Sequence, residues 1–208
     1  MPARNRHGKR TRTFTEQARR AQIVTAAITT MAEVGYRHAS FAQIAKRAGL
    51  SSTSLISYHF ASKDELINEV VRTVLADIGR FMAGRMPTPG SAAEASAADA
   101  LRVYIEASIE FIDTHREQMK AFTDIFINGG FSYDPGSENT VVSPLEGILR
   151  AGQDSGEFRD FDPTVMATLI QREIDGLPFL LEIRPGLDVA AYGREVVTVF
   201  DLATRAQR

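Results

Sequence analysis

The chain has no cysteine and only four histidines among its 208 residues. This excludes a disulfide framework, a thiolate zinc site and a cysteine nucleophile, and it leaves little to ligate a metal; neither a metal nor a cofactor is expected. Long apolar runs are missing too, since no stretch approaches the roughly eighteen uncharged residues of a membrane span. The N-terminus reads Met-Pro-Ala-Arg-Asn-Arg with no apolar run behind it, so a cytoplasmic location with no membrane-spanning segment is expected. Lysine is scarce, four against twenty arginines, and alanine is abundant, a bias typical of GC-rich bacterial genomes. With 44% hydrophobic and 24% charged residues, the chain reads as globular, with one large core or a small domain joined to a bigger one.

The net charge of −2 hides an asymmetry. Residues 1 to 63 carry eleven Lys/Arg against Glu16 and Glu33, and the rest carries thirteen against twenty-four acids, so the two parts stand at +9 and −11. A small basic segment fused to an acidic larger one points to a polyanion meeting the first part, either nucleic acid or a membrane surface. The plainer alternative is a basic tail without a ligand.

Residues 1 to 14 form a basic arm with Arg4, Arg6, Lys9, Arg10 and Arg12 and almost no apolar content. From Thr15 the pattern turns helical: Ala18, Ala21, Ile23, Ala26, Ala27, Met31 and Val34 recur at helical spacing until Gly35. Ser40 with Gln43 is a capping-box spacing that opens a short helix ending at Gly49, and Ser62 with Glu65 opens a long one running to about residue 84. Further helices are expected at about 96–115, 117–128, 141–153, 163–183 and 188–206, separated by Gly and Pro breakers, with no strand of useful length. The fold class is therefore all-α, with a division at 15–61 and 62–208.

Two short helices joined by a tight turn after a glycine are the ingredients of a helix-turn-helix DNA reader. Here they are 40–48 and 53–60. The first braces across the backbone while the N-terminal half of the second enters the major groove, so that half must be short-chained and polar. Ser52, Thr53, Ser54 and Ser57 meet this requirement, although Ala-Gly-Leu-Ser turns also join helices in proteins that never touch DNA.

The wider stretch, residues 19 to 66, resembles the DNA-binding domain of the TetR family of bacterial transcriptional regulators. The resemblance lies in Arg19, Ile23, Ala26-Ala27, Gly35-Tyr36, Phe41, Ile44-Ala45, Ala48-Gly49-Leu50-Ser51, Tyr58-His59-Phe60, Ser62-Lys63 and Leu66. It implies an N-terminal three-helix helix-turn-helix domain, a C-terminal helical domain for effector binding and dimerisation, and action on double-stranded DNA as a homodimer. It also implies that Ser57, Tyr58 and His59 form the DNA-facing end of the recognition helix and that Lys63 contacts phosphate. A phenol hydroxyl, an imidazole and an ammonium suit that task, and the helix start at Ser62 adds partial positive charge. Packing between helices is the alternative for Tyr58 and His59.

Two features depart from the family pattern. Ala48 to Phe60 spans twelve residues where eleven is usual, so one extra residue falls in the serine-rich run, either in the turn or in the first turn of the recognition helix. Ala42 stands where some relatives carry a base-reading arginine; Ser40 and Gln43 nearby are included among the DNA-facing positions, with Gln43 open as a substitute. Arg4, Arg6 and Arg10 are expected to reach the minor groove beside the motif, a solvated tail being the alternative.

In the acidic part, Glu106, Glu110, Asp113 and Glu117 share one helix face and read as a solvated surface rather than a metal or acid-base set. Tyr104, Phe111, Met119, Phe122 and Phe126 suit either an adaptable effector cavity or ordinary core packing. Glu173, placed among Met166, Leu169, Ile170, Ile174, Leu177 and Leu181, needs a partner: an arginine such as Arg172 or Arg194, a subunit contact, or a ligand. The family resemblance implies that this helix and the last pair with their copies, so Met166, Ile170, Ile174, Gly176, Leu177, Tyr192, Val196, Val199 and Phe200 are the expected dimer contacts. The function expected is a ligand-responsive repressor on a palindromic operator, with a low-specificity nucleoid-type DNA protein as the alternative. A helical small-molecule-binding protein or enzyme is a further alternative, lacking a recognisable nucleophile-base pair or phosphate loop.

Overall fold

The computed structural model describes residues 14–87, 96–128 and 135–206, of which 135–143 are described by their backbone alone. Among the described residues there are nine α-helices and no strand: α1 Phe14–Val34, α2 Phe41–Arg47, α3 Ser54–His59, α4 Lys63–Ala83, α5 Ala97–Thr114, α6 Arg116–Ile127, α7 Pro135–Asp154, α8 Pro163–Ile183 and α9 Val189–Thr204. The helices fall where the spacing of apolar residues puts them, except that α7 begins about six residues early. Proline at a first helical position lacks only an N–H that would go unpaired there, so Pro135 opens the helix instead of barring it. No helix among the described residues is long and apolar enough to cross a membrane.

The N-terminal unit is built on α1, which buries Ile23, Val24, Ala27, Ile28 and Met31 and packs on α2, α3 and α4 as well as on α6. Ile44, Ile56 and Phe60 are fully buried beneath the two short helices, so their outer faces are carried on a rigid base. In the larger part, α5 is the central helix, touching α4, α6, α7, α8 and α9, and buries Leu101, Ile105, Ile109 and Ile112. α6 joins the two parts by packing on α1, α4 and α8.

A clasp closes the C-terminal end. The Arg159 N–H donates to the Thr204 carbonyl at 2.9 Å and the Ala206 N–H to the Glu157 carbonyl at 3.0 Å, forming an isolated antiparallel bridge. The Glu157 carboxylate accepts from the Ala97 and Ala98 N–H groups, both at 3.2 Å, and so caps the start of α5. Burial works against its ionised form, but the N–H groups of Ala98 and Ala97 together with the Ser155 and Ser96 hydroxyls outweigh that and hold its pKa below the ordinary value. Phe158, buried in the same turn, lies over Gly152, where a Cβ would collide with the ring.

Candidate nucleic-acid interface

The reading head begins at a complete capping box. Ser40 Oγ accepts from the Gln43 N–H, and Gln43 Oε1 accepts from the Ser40 N–H at 2.9 Å. Both side chains are exposed, yet each is occupied in starting α2. At the other end, Gly49 takes φ +63°, a conformation that disfavours any residue with a Cβ. The Leu50 N–H reaches the Ala45 carbonyl at 2.9 Å and the Gly49 N–H the Lys46 carbonyl at 3.2 Å, which turns the chain sharply toward α3.

α3 is only six residues long and is pinned from beneath by Ile56, with Phe60 directly after it. Ile56 lies one helical turn before Phe60, and both are fully buried. Ser51 to Thr53 form an exposed connection, and the first bonds of the recognition helix are tight three-residue steps, Leu55 N–H to Ser52 and Ile56 N–H to Thr53. Thr53 starts the helix without using its hydroxyl as a cap. Ser52, Thr53, Ser54, Ser57 and Tyr58 all face solvent, Tyr58 at 72% exposure. His59 is half-buried with its ring edge-on to that of Tyr58 at 5.1 Å. Leu55, 38% exposed on the same helix, was not among the expected contacts. Its apolar side chain suits a thymine methyl, and the only sequence signal for it was its spacing three residues before Tyr58.

Two cations lock this head in place. Arg20, buried on α1, donates to the His59 carbonyl, to Glu69 Oε2 at 3.1 Å and to Glu65 Oε1 at 3.4 Å, and its guanidinium lies 4.0 Å over the Phe60 ring. Sequence reasoning passed over it, although an arginine three residues before Ile23 on the buried stripe, with acids four apart at 65 and 69, is a readable signature. Lys63, half-buried, is not a free surface cation: its Nζ donates to the Tyr36 carbonyl at 3.2 Å and sits 5.0 Å over the Tyr36 ring. An ammonium has three protons, so this leaves donors for a phosphate. Arg4, Arg6 and Arg10 lie outside the described residues.

In the larger part, the expected effector residues lie in different surroundings. Met119 lines a cleft of about 210 Å³ between α5–α6 and α8, together with Ile112, Lys120, Pro178, Leu181 and Glu182. Phe111 is buried and stacked on His115 at 4.2 Å. Tyr104 is buried with its hydroxyl donating to Gln171, and burial, with the Asp175 charge, pushes its pKa up to about 12. Phe122 is half-buried against Phe126, which is 46% exposed. Glu173 is exposed, and its carboxylate accepts from the Tyr192 hydroxyl at 2.5 Å. Burial first, and then that bond, raise the Tyr192 pKa.

The residues expected at a dimer contact differ in burial. Met166, Ile170, Ile174, Leu177 and Val196 are buried within the chain's own core. The exposed apolar residues lie on the neighbouring stripe: Val165, Leu169, Phe179 and Ile183 on α8, and Val199 and Leu202 on α9. Gly176 is exposed there, with Tyr192 and Phe200 half-buried and Val199 on the outer face. The acidic stripe on α5–α6 is occupied by local partners, Glu110 with Arg85, Asp113 with Arg116 and Glu117 with Thr29.

An all-helical chain with a glycine-turned pair of short helices on a buried three-helix base is a helix-turn-helix protein. The sequence profile described as "Bacterial regulatory proteins, tetR family" matches residues 23–70. The HTH-type transcriptional regulator BetI of Paraburkholderia phytofirmans is 31% identical over 169 residues, covering 80% of this chain and 79% of that protein. BetI of Cronobacter sakazakii is 32% identical over 108 residues, about half of either protein. A transcriptional regulator from Saccharomonospora viridis, solved in complex with choline, superposes with a TM-score of 0.75 at 22% identity, over 92% of this chain and all of that one. The chain belongs to the tetR family of bacterial regulatory proteins.

Proposed function

We propose that this chain is a DNA-binding transcriptional repressor that works as a homodimer, each copy presenting one reading head to a half-site of a palindromic operator. The observation that carries the reading is the head itself: a short polar helix with Tyr58 at its exposed end, held on the buried Ile44, Ile56 and Phe60. In this reading Ser52, Thr53, Ser54, Leu55 and Ser57 face base edges, while Tyr58, His59 and Lys63 hold phosphates. Ser40 and Gln43 keep α2 in place at the backbone, and Arg4, Arg6 and Arg10 add charge in the minor groove.

Pairing of the outer α8–α9 stripes supplies the second head. Six large apolar side chains are otherwise left in water on that face, and two helices from each copy would cover them. The heads must then meet successive major grooves about 34–36 Å apart. An effector in the cleft beside α6 shifts that spacing only if it binds the two arrangements unequally. Choline, bound by the Saccharomonospora neighbour, is the first compound to try.

The test is selection of binding sites from a random duplex library at near-physiological salt, beside a Tyr58→Ala, Lys63→Ala variant. An enriched palindrome, lost or weakened in the variant, supports the reading. Recovery of DNA with no common sequence would favour a nucleoid-type protein, and no recovery with or without candidate effectors would refute DNA reading.

A further inference from the structure

One helix addresses both the cleft and the reading head. Arg116, Met119 and Lys120 of α6 line the cleft, while Glu117 and Asp124, about a third of a turn around the helix, face α1. The Asp124 carboxylate accepts from the Tyr36 N–H just beyond α1, and the Asn128 side-chain amide, bonded at 2.5 Å, holds that carboxylate in place. The carbonyl of the same Tyr36 accepts from Lys63 Nζ, and its ring lies under the same ammonium. A single residue thus connects a carboxylate of α6 with the amine at the first position of α4, beside the recognition helix.

We propose that Asp124 is a positioning residue for DNA binding: through the Tyr36 peptide it holds the Lys63 ammonium where it clamps a phosphate. Lysine is a flexible four-carbon stem with a point charge, and holding it beforehand removes much of the ordering cost of the contact. Without the carboxylate, the Tyr36 N–H loses its acceptor and the turn carrying the carbonyl loses its anchor on α6. This inference rests on the DNA-binding reading above.

The experiment measures affinity for the selected duplex over a series of salt concentrations, with thermal unfolding as a check that each variant is folded. One phosphate contact contributes about 0.9 to the slope of log K against log salt. Lys63→Ala is expected to lower the slope by about that amount per head, and Asp124→Ala, whose native carboxylate has no proton to donate to a phosphate, to lower it equally. The double variant should fall no further. Asp124→Asn keeps a carbonyl acceptor for the Tyr36 N–H and should restore the native slope. Glu117→Ala breaks the other polar tie from α6 to α1, to Thr29, and should leave the slope unchanged. If Asp124→Ala does not fold, Asp124→Ser, too short to reach the amide, makes the same comparison. A native slope in Asp124→Ala, or a slope in the double variant clearly below that of Lys63→Ala alone, overturns the proposal. Failure of the native protein to bind any duplex overturns the functional reading and this inference with it, and is visible before any variant is compared.

Discussion

Removing the guanidinium of Arg20 tests whether the reading head is held by the lock that the structure contains. The side chain is 8% exposed and bonds to a carbonyl and two carboxylates while covering the Phe60 ring. Breaking a fully buried pair by deleting one partner costs about 3–5 kcal/mol. Here the abandoned Glu65 and Glu69 are 35% and 25% exposed, so water recovers part of that, and about 2–3 kcal/mol is expected for Arg20→Ala. At about 2–4 °C per kcal/mol for a chain of this size, the melting temperature should fall by about 4–12 °C. Arg20→Lys retains the charge but not the fork that reaches three acceptors, and should recover less than half of the loss. Because the His59 carbonyl is one of those acceptors, operator affinity should fall in both variants at temperatures where they remain folded. Differential scanning calorimetry and fluorescence anisotropy read the two effects. An Arg20→Ala protein that melts within about 1 °C of the native one and binds DNA equally well would refute the reasoning.

Gly152→Ala sets two effects of opposite sign against each other. Alanine gains about 1 kcal/mol inside a helix, but its methyl would collide with a Phe158 ring held by backbone bonds on both sides, at about 1–3 kcal/mol. Net destabilisation by chemical denaturation is expected; a more stable variant would show that the ring can move. Glu157 has a lowered folded pKa, so its contribution to stability is complete above its ordinary value of 4.5 and is lost as the pH falls through the folded value. Glu157→Gln should therefore flatten the acid side of the stability profile, and an unaltered profile would contradict the role of the cap. Leu169→Glu with Val199→Glu places charge on the outer α8–α9 stripe without touching the core; light scattering should report a monomer of native helix content, and a persistent dimer would move the subunit contact elsewhere.

What was legible in the sequence was whatever a local pattern encodes. Helices α1 to α6, α8 and α9 followed from apolar spacing and from Gly, Pro and Ser punctuation, and the head's scaffold followed from the Ala48-Gly49 turn and Phe60. Pairings distant in sequence were not legible. Arg20 is locked by residues 45 and 49 positions away, and within its own helix only its place on the buried stripe hints at a buried cation. α8 carries two apolar stripes side by side, and spacing alone cannot tell which one faces the core. The more regular one, through Ile170, Ile174 and Leu177, packs inward, leaving Val165, Leu169 and Ile183 outside. Glu173 stood beside apolar residues in the pattern, yet in three dimensions it lies on the surface with Tyr192.

The central claim is that the exposed residues of α3 choose DNA by sequence. Its most direct test is the ratio of dissociation constants for the selected duplex and for random duplex of equal length, at one near-physiological salt concentration. The account predicts that the selected site is bound at least about a thousandfold more tightly, the lower range for specific readers. A ratio near one, with both bound, would contradict it.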